Sequence, residues 1–165
     1  MDFSTNYRTI NLGQVSENDI GKKIKIAGWI ENIRDHGGVL FVDLRDHYGI
    51  TQVVISDEKL MEGVGKETVI LAEGLVSKRD EETVNAKLQT GMIEVRVSRV
   101  EILGPSLPAL PFDISASTQT REDVRLKYRF LDLRNPAVKS NIILRCQVVA
   151  ELRRLMTEKG FLEIT

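Results

Sequence analysis

The sequence predicts a mainly-β domain, then a proline-rich connection, then one long amphipathic helix. Three observations predict it. Short runs across roughly the first 103 residues alternate apolar and polar side chains. Three of the four prolines fall between Gly104 and Pro111. Apolar residues recur at helical spacing after Asn135-Pro136.

The first strand is read from Ile24, Ile26, Gly28 and Ile30, which alternate with Lys25, Ala27, Trp29 and Glu31. Gly37-Gly38 marks a turn, and Val39 to Arg45 is the second strand. His47-Tyr48-Gly49 turns again before a third strand, Ile50 to Ile55. Asp57 to Gly65 reads as a short helix or loop, capped by Ser56 or Asp57. Thr68 to Ser77 and Met92 to Leu103 complete five strands. Five short strands with a short helix between the third and fourth is the order of an OB-fold barrel, although spacing alone also admits another small barrel.

Gly104-Pro105-Ser106-Leu107-Pro108-Ala109-Leu110-Pro111 is a linker, because proline suppresses both helix and central strand. Ser115 to Thr120 extends it with small polar residues. Thr120, followed by Glu122 and Asp123, is placed to cap a short helix running to about Lys127. Asn135 is the expected cap of the long helix, with Pro136 at its first position. Val138, Ile142, Val149, Leu152 and Met156 form its apolar stripe, with Ile143 and Cys146 beside them. Gly160 is the expected stop, with Phe161 packing back, and a strand is expected to begin at Gly160–Thr165. The chain therefore reads as one whole domain followed by the opening of a second, larger one.

The chain has 165 residues, 42% of them hydrophobic and 28% charged, which suits a globular core and an ordinary solvated surface. A net charge of -1 excludes a global basic field, so any nucleic-acid binding must come from local patches. The single cysteine, Cys146, excludes an internal disulfide. The first residues lack the basic-then-apolar order of a signal peptide, and no apolar run approaches membrane-spanning length. These features point to a cytoplasmic protein without a membrane partner.

The second strand carries the functional reading. Leu40, Val42 and Leu44 form its core face, which places Val39, Phe41, Asp43 and Arg45 on the other. In the third strand Val53 and Ile55 take the core face, leaving Ile50, Gln52 and Val54 opposite. Phe41 and Gln52 thus share one surface of adjacent strands, and Arg34 at the end of the first strand is close enough to join them. An aromatic, an amide and a guanidinium on the open face of a small barrel suit an unpaired base, stacked on one and read at its edge by the others. The competing role for Phe41 is packing under the linker or the N-terminal segment. Asp43, Arg45 and Asp46 are expected in ion pairs. Trp29 is expected to be buried against the N-terminal segment. His36 and His47 lie in turns with no cysteine or carboxylate at ligand spacing, so no metal site is assigned. No phosphate loop, HExxH, paired-cysteine motif or nucleophile elbow occurs, so no catalytic residue is assigned and the chain reads as a binding module.

These residues resemble the N-terminal region of bacterial-type aspartyl-tRNA synthetases, which are class II aminoacyl-tRNA synthetases. The segments that carry the resemblance are Gly28-Trp29-Ile30, Arg34 through Asp46, Gly49 through Val54, Thr90 through Val95, and Arg125 through Arg134. The strand pair is shared with the asparagine and lysine enzymes, and Arg-Leu-Lys-Tyr-Arg-Phe-Leu-Asp-Leu-Arg narrows it to the aspartate enzyme. The alternatives are an asparaginyl or lysyl enzyme and a generic OB-fold module for single-stranded nucleic acid.

The resemblance implies an anticodon-binding OB domain over residues 1–103, a hinge over 104–134, and the start of a catalytic domain over 135–165. The long helix would belong to the motif that builds the family's homodimer. Anticodon contacts would fall on Arg34, Phe41, Gln52 and Glu94. Phe41 would stack on a base, Gln52 would read the central uracil, Glu94 the first base, and Arg34 would contact the loop. Arg79 and Asn85 would touch the loop backbone. His36 stands where some members carry leucine, and a histidine there accompanies enzymes that charge both aspartate and asparagine tRNA. Arg125, Lys127, Arg129 and Arg134 would line the tRNA approach or, as the expectation preferred here, pair with carboxylates of the remaining catalytic domain. The implied full-length enzyme is an aspartate–tRNA ligase using ATP and Mg2+; the 165 residues alone would hold no cofactor and be catalytically inactive.

Overall fold

The structure is a computed structural model that describes residues 5–164. It divides into two compact units, Met1–Pro108 and Ala109–Thr165.

The first unit is a closed barrel of β1 (Lys23–His36), β2 (Val39–Arg45), β3 (Ile50–Ile55), β4 (Val69–Lys78) and β5 (Ile93–Gly104), in the order β1-β2-β3-β5-β4. β4 pairs back onto β1, and only β3 and β5 run parallel. This is the five-stranded mainly-β barrel expected from the alternation. Ile26, Ile30, Val42, Leu44, Val53, Ile55, Ile70 and Val95 fill its interior with no exposed surface. Burying each such side chain contributes roughly 1.5–3 kcal/mol.

The β1–β2 hairpin sets the register of everything that follows. Gly37 and Gly38 have φ of 65° and 90°, the two consecutive positive values that a type I′ turn requires. His36 therefore pairs with Val39, and Arg34 stands directly opposite Phe41. β1 runs further than the first alternation indicated because a bulge between Ile30 and Asn32 carries it on to the hairpin. Between β3 and β4 lies a single turn of 3-10 helix, Glu58–Met61, capped by Asp57, whose side chain accepts from the Lys59 N–H.

The N-terminal segment closes one side of the barrel. Leu12 is buried, its N–H donates to Asp46 Oδ2 at 2.9 Å, and Thr51 Oγ1 donates to its carbonyl at 2.5 Å. Asp46 also accepts the N–H groups of Tyr48 and Gly49, so it organises a turn. Arg45 forms the expected ion pairs, with Glu31 at 3.0 Å and with Glu67. Trp29 is half-buried where burial was expected, and the Arg45 guanidinium lies 5.4 Å over its ring. Ser106 ties the chain beyond β5 to the barrel through Thr68 and the Lys66 carbonyl.

The second unit contains α1 (Glu122–Lys127), α2 (Arg129–Asp132) and α3 (Pro136–Glu158). Thr120 closes a preceding 3-10 turn instead of capping α1. Its N–H is spent on the Ser117 carbonyl, and the helix starts one residue later, after Arg121. Asp132 is fully buried and collects Ser117 Oγ at 2.9 Å, two bonds from Arg125, and one from Arg129. Two of the four arginine and lysine residues expected to seek a distant domain thus find their carboxylate seven and three residues away. Asn135 caps α3 as expected, accepting from Ala137 N–H at 2.9 Å, while its amide donates to the carbonyls of Ile114 and Ser115. Gly160 ends the helix with φ 84°, and the bonds Gly160 N–H to Thr157 and Phe161 N–H to Met156 complete a Schellman motif. Residues 161–164 carry no regular structure; Thr165, the last residue of the expected strand, lies outside the described residues, as do Met1–Ser4.

Candidate nucleic-acid interface

Pairing and alternation together collect one polar face of the barrel. From the hairpin register, Arg34 and His36 of β1 share a face with Phe41 and Asp43 of β2. Asp43 pairs with Gln52 of β3, and Phe41 with Val54. Val53 pairs with Val95 in the parallel ladder, which brings Glu94 beside Gln52. Ser77 of β4 pairs with Glu94, and Arg79 follows two residues on.

The side chains join along this face. Arg34 grips Asp43 with two parallel bonds, Nη1 to Oδ2 at 2.8 Å and Nη2 to Oδ1 at 2.9 Å. Such forked, charge-assisted pairs are the strong and geometrically exact ones. Arg34 Nη2 also donates to Gln52 Oε1 at 3.2 Å. Phe41 is half-buried, and the His36 ring meets it edge-on with centroids 5.5 Å apart. The His36 ring thus helps to fix the tilt of Phe41, which keeps an accessible part, as a stacking platform needs. Glu94 is buried, with Arg96 Nε 3.3 Å from its carboxylate.

Arg79 is the buried cation of the face. Its Nε donates to the Ile93 carbonyl at 2.9 Å and its Nη1 to the Thr83 carbonyl at 3.2 Å. Nη2 is buried with no hydrogen-bond partner among the described residues. Burial pulls this guanidinium below its ordinary pKa; the charges of Glu94 and Asp43 push it back, and Arg34 opposes them. Arg79 therefore feels both carboxylates of the face. Asn85 shapes the β4–β5 loop: its Oδ1 accepts from Lys87 N–H, its carbonyl from Leu88 N–H. Gly91 allows this loop to close, since a Cβ there would stand 1.8 Å from the Asn85 carbonyl oxygen.

Residues 24–103 match the family described as OB-fold nucleic acid binding domain, and residues 121–165 match tRNA synthetases class II (D, K and N). The chain belongs to the class II tRNA synthetase family. It is 47% identical over 161 residues to an aspartate–tRNA(Asp/Asn) ligase of Phenylobacterium zucineum, covering 95% of this chain and 27% of that protein. It is 47% identical over 163 residues to the ligase of the same name from Rhizobium rhizogenes, covering 96% and 27%. The fold is also that of a putative aspartyl-tRNA synthetase from Leishmania major, with a TM-score of 0.84 at 23% identity, over 100% of this chain and 35% of that one. The chain thus spans about a quarter of the length of the curated relatives it matches.

Within this synthetase segment, the structure brings Arg34, Phe41, Gln52, Glu94, His36 and Arg79 onto one face, with Asn85 in the loop beside Arg79. The role of Asp43 was legible only as an ion pair of unspecified partner. Its partner was available from the turn: a two-residue turn at Gly37-Gly38 puts Asn32 opposite Asp43, so Arg34 is its diagonal neighbour. Among the described residues no group of three or more His, Cys, Asp or Glu could hold a metal ion, and no helix is long and apolar enough to cross a membrane.

Proposed function

We propose that residues 1–103 are the anticodon-binding domain of an aspartate–tRNA ligase, 104–134 its hinge, and 135–165 the opening of its catalytic domain. The observation that carries this reading is the joined face of Arg34, Asp43 and Gln52 beside the half-buried ring of Phe41. Anticodon bases splay out of their loop, one stacks on Phe41, and their edges meet Gln52, Arg34 and Glu94. Gln52 reads the central uracil and Glu94 the first base. Arg79 and Asn85 hold the β4–β5 loop against the anticodon backbone.

The full-length enzyme is cytoplasmic, dimerises through the region of α3, and esterifies tRNA with aspartate using ATP and Mg2+. We assign ATP and Mg2+ to the rest of the enzyme, since this chain spans about a quarter of its relatives' length. The enzyme charges asparagine tRNA as well. The relatives' names include both tRNAs, and His36 supports the same reading here, standing against Phe41 at the edge of the face.

The test is binding of the chain, at fixed salt, to aspartate tRNA and to the same tRNA with its central anticodon uracil replaced. A loss of about 1–3 kcal/mol on replacement is expected, the usual scale for a misread base. Equal affinity would mean that the barrel grips backbone alone, and the reading would fail.

A further inference from the structure

We infer that Asp43 is a positioning residue for base selection: through its forked grip on Arg34 it fixes which end of the Gln52 amide is offered to a nucleobase. This rests on the anticodon reading above and goes beyond it, because it names the residue that fixes the amide and the donor end that is left for the base.

A glutamine amide has a donor end and an acceptor end, and unaided it offers either. Here one end is occupied. Arg34 Nη2 stands 3.2 Å from the amide group, and a guanidinium has only donors. It can hold only the oxygen end, since the flipped amide would set N–H against N–H. Nε2 with its two hydrogens is therefore the end left for a ligand. Gln52 is 7% exposed, so the amide sits within the face and its orientation is not averaged away by solvent.

Arg34 could not impose this alone, because its own side chain is 46% exposed and long. What holds it is Asp43, whose side chain is 11% exposed and whose two oxygens take two parallel bonds from the guanidinium. The fork uses Nη1 and Nη2 together, so it sets the plane of the group as well as its position. The chain of control runs from Asp43 to Arg34 to Gln52 Oε1, and ends at two outward amide hydrogens. Such a pair of donors suits a base edge made of carbonyl oxygens and opposes an exocyclic amino group. Uracil O4 accepts where cytosine N4 donates. The ligand chemistry selected is a keto pyrimidine over an amino pyrimidine.

The experiment uses the 165-residue chain and two anticodon stem-loops that differ only in uracil or cytosine at the central position, at one salt concentration. Wild type should prefer uracil by about tenfold or more. Asp43→Asn offers one acceptor in place of a charged fork, and the preference should shrink to about threefold or less, with affinity for the cytosine loop unchanged or raised. Asp43→Glu keeps a forked acceptor and should restore the preference. If Asp43→Asn melts the barrel, Arg34→Met removes the same hold from an exposed position and must erase the preference equally. Asp43→Asn, or Arg34→Met in its place, keeping the full preference overturns the inference while leaving the anticodon reading intact. A folded variant that loses the same factor for both loops also overturns it, since Asp43 would then supply charge without orientation. A wild-type chain with no preference overturns the anticodon reading itself, and the inference with it.

Discussion

The barrel and the long helix solve the same problem in opposite ways. Each carries an apolar face that water disfavours. The barrel turns its face inward and closes upon it, so that inward-facing side chains such as Ile26, Ile30 and Val42 reach zero exposure. α3 is a single rod of 23 residues, and of its apolar stripe only Val138 is buried; Ile142 and Val149 are half-buried, and Leu152 and Met156 lie open. A closed sheet needs no partner to satisfy its edges, whereas a helix draws most of its stability from what packs on it. The barrel can therefore hold its polar face in place by itself, and the helix has caps at both ends but little beneath its stripe.

The sharpest way to break this contrast is to truncate one apolar residue in each region. Ile30→Ala empties a fully enclosed position and should cost about 2–5 kcal/mol of barrel stability by denaturant titration. Leu152→Ala, at a position 56% exposed, should change stability by no more than about 0.5 kcal/mol. Comparable losses at both sites would show that the stripe of α3 is covered in solution.

A second comparison separates recognition from folding inside the barrel. Phe41→Ala should weaken anticodon-loop binding by about 1–3 kcal/mol, the worth of one stacked base. Calorimetric titration with a loop gives the affinity, and a thermal melt gives the stability of the same sample. Unchanged affinity would return Phe41 to the packing role that the sequence left open.

The mildest effect is expected in the second unit on acidification. Burial raises the Asp132 pKa, but hydrogen bonds from Arg125 and Ser117 and the charges of Arg125 and Arg129 outweigh it and hold it below 3.8. A depressed folded-state value means that this carboxylate stabilises the fold above the ordinary aspartate range. That contribution is lost as pH falls through the ordinary value and then through the folded one. The arginines are partly in water, which screens the pair and keeps the effect small. Helicity followed by circular dichroism from pH 6 to pH 2 should fall less steeply in Asp132→Asn than in wild type. Superimposable curves would remove Asp132 from the account.

Most of the barrel was legible because period-2 alternation and the Gly37-Gly38 turn are local signals, and β2 and β3 run over the residues that alternation marked. The shared face of Phe41 and Gln52 was legible for the same reason. What local pattern could not supply was distance across the chain. Arg79 reads as one more surface cation until the β4–β5 loop folds over it and buries it to 4% exposure. Asp132 reads as a solvated carboxylate until Tyr128, with φ -111° and ψ 43°, interrupts the helix and folds α2 back toward Arg125. No residue near Tyr128 announces that break, since tyrosine neither caps nor breaks helices as a rule.

The parallel pairing of β3 with β5 has a temporal meaning. Only two residue pairs, Val53 with Val95 and Val54 with Arg96, join these strands, and all of β4 lies between them in the chain. Gln52 and Glu94 sit immediately before those pairs, one on each strand. A ribosome making this protein releases Gln52 long before Glu94, and loop closure between distant strands is among the slower steps of folding. Gln52 and Glu94, the two side chains proposed above to read bases, thus become neighbours only once β5 has been made and has paired with β3. On the reading proposed above, recognition of an anticodon therefore waits for the barrel to close.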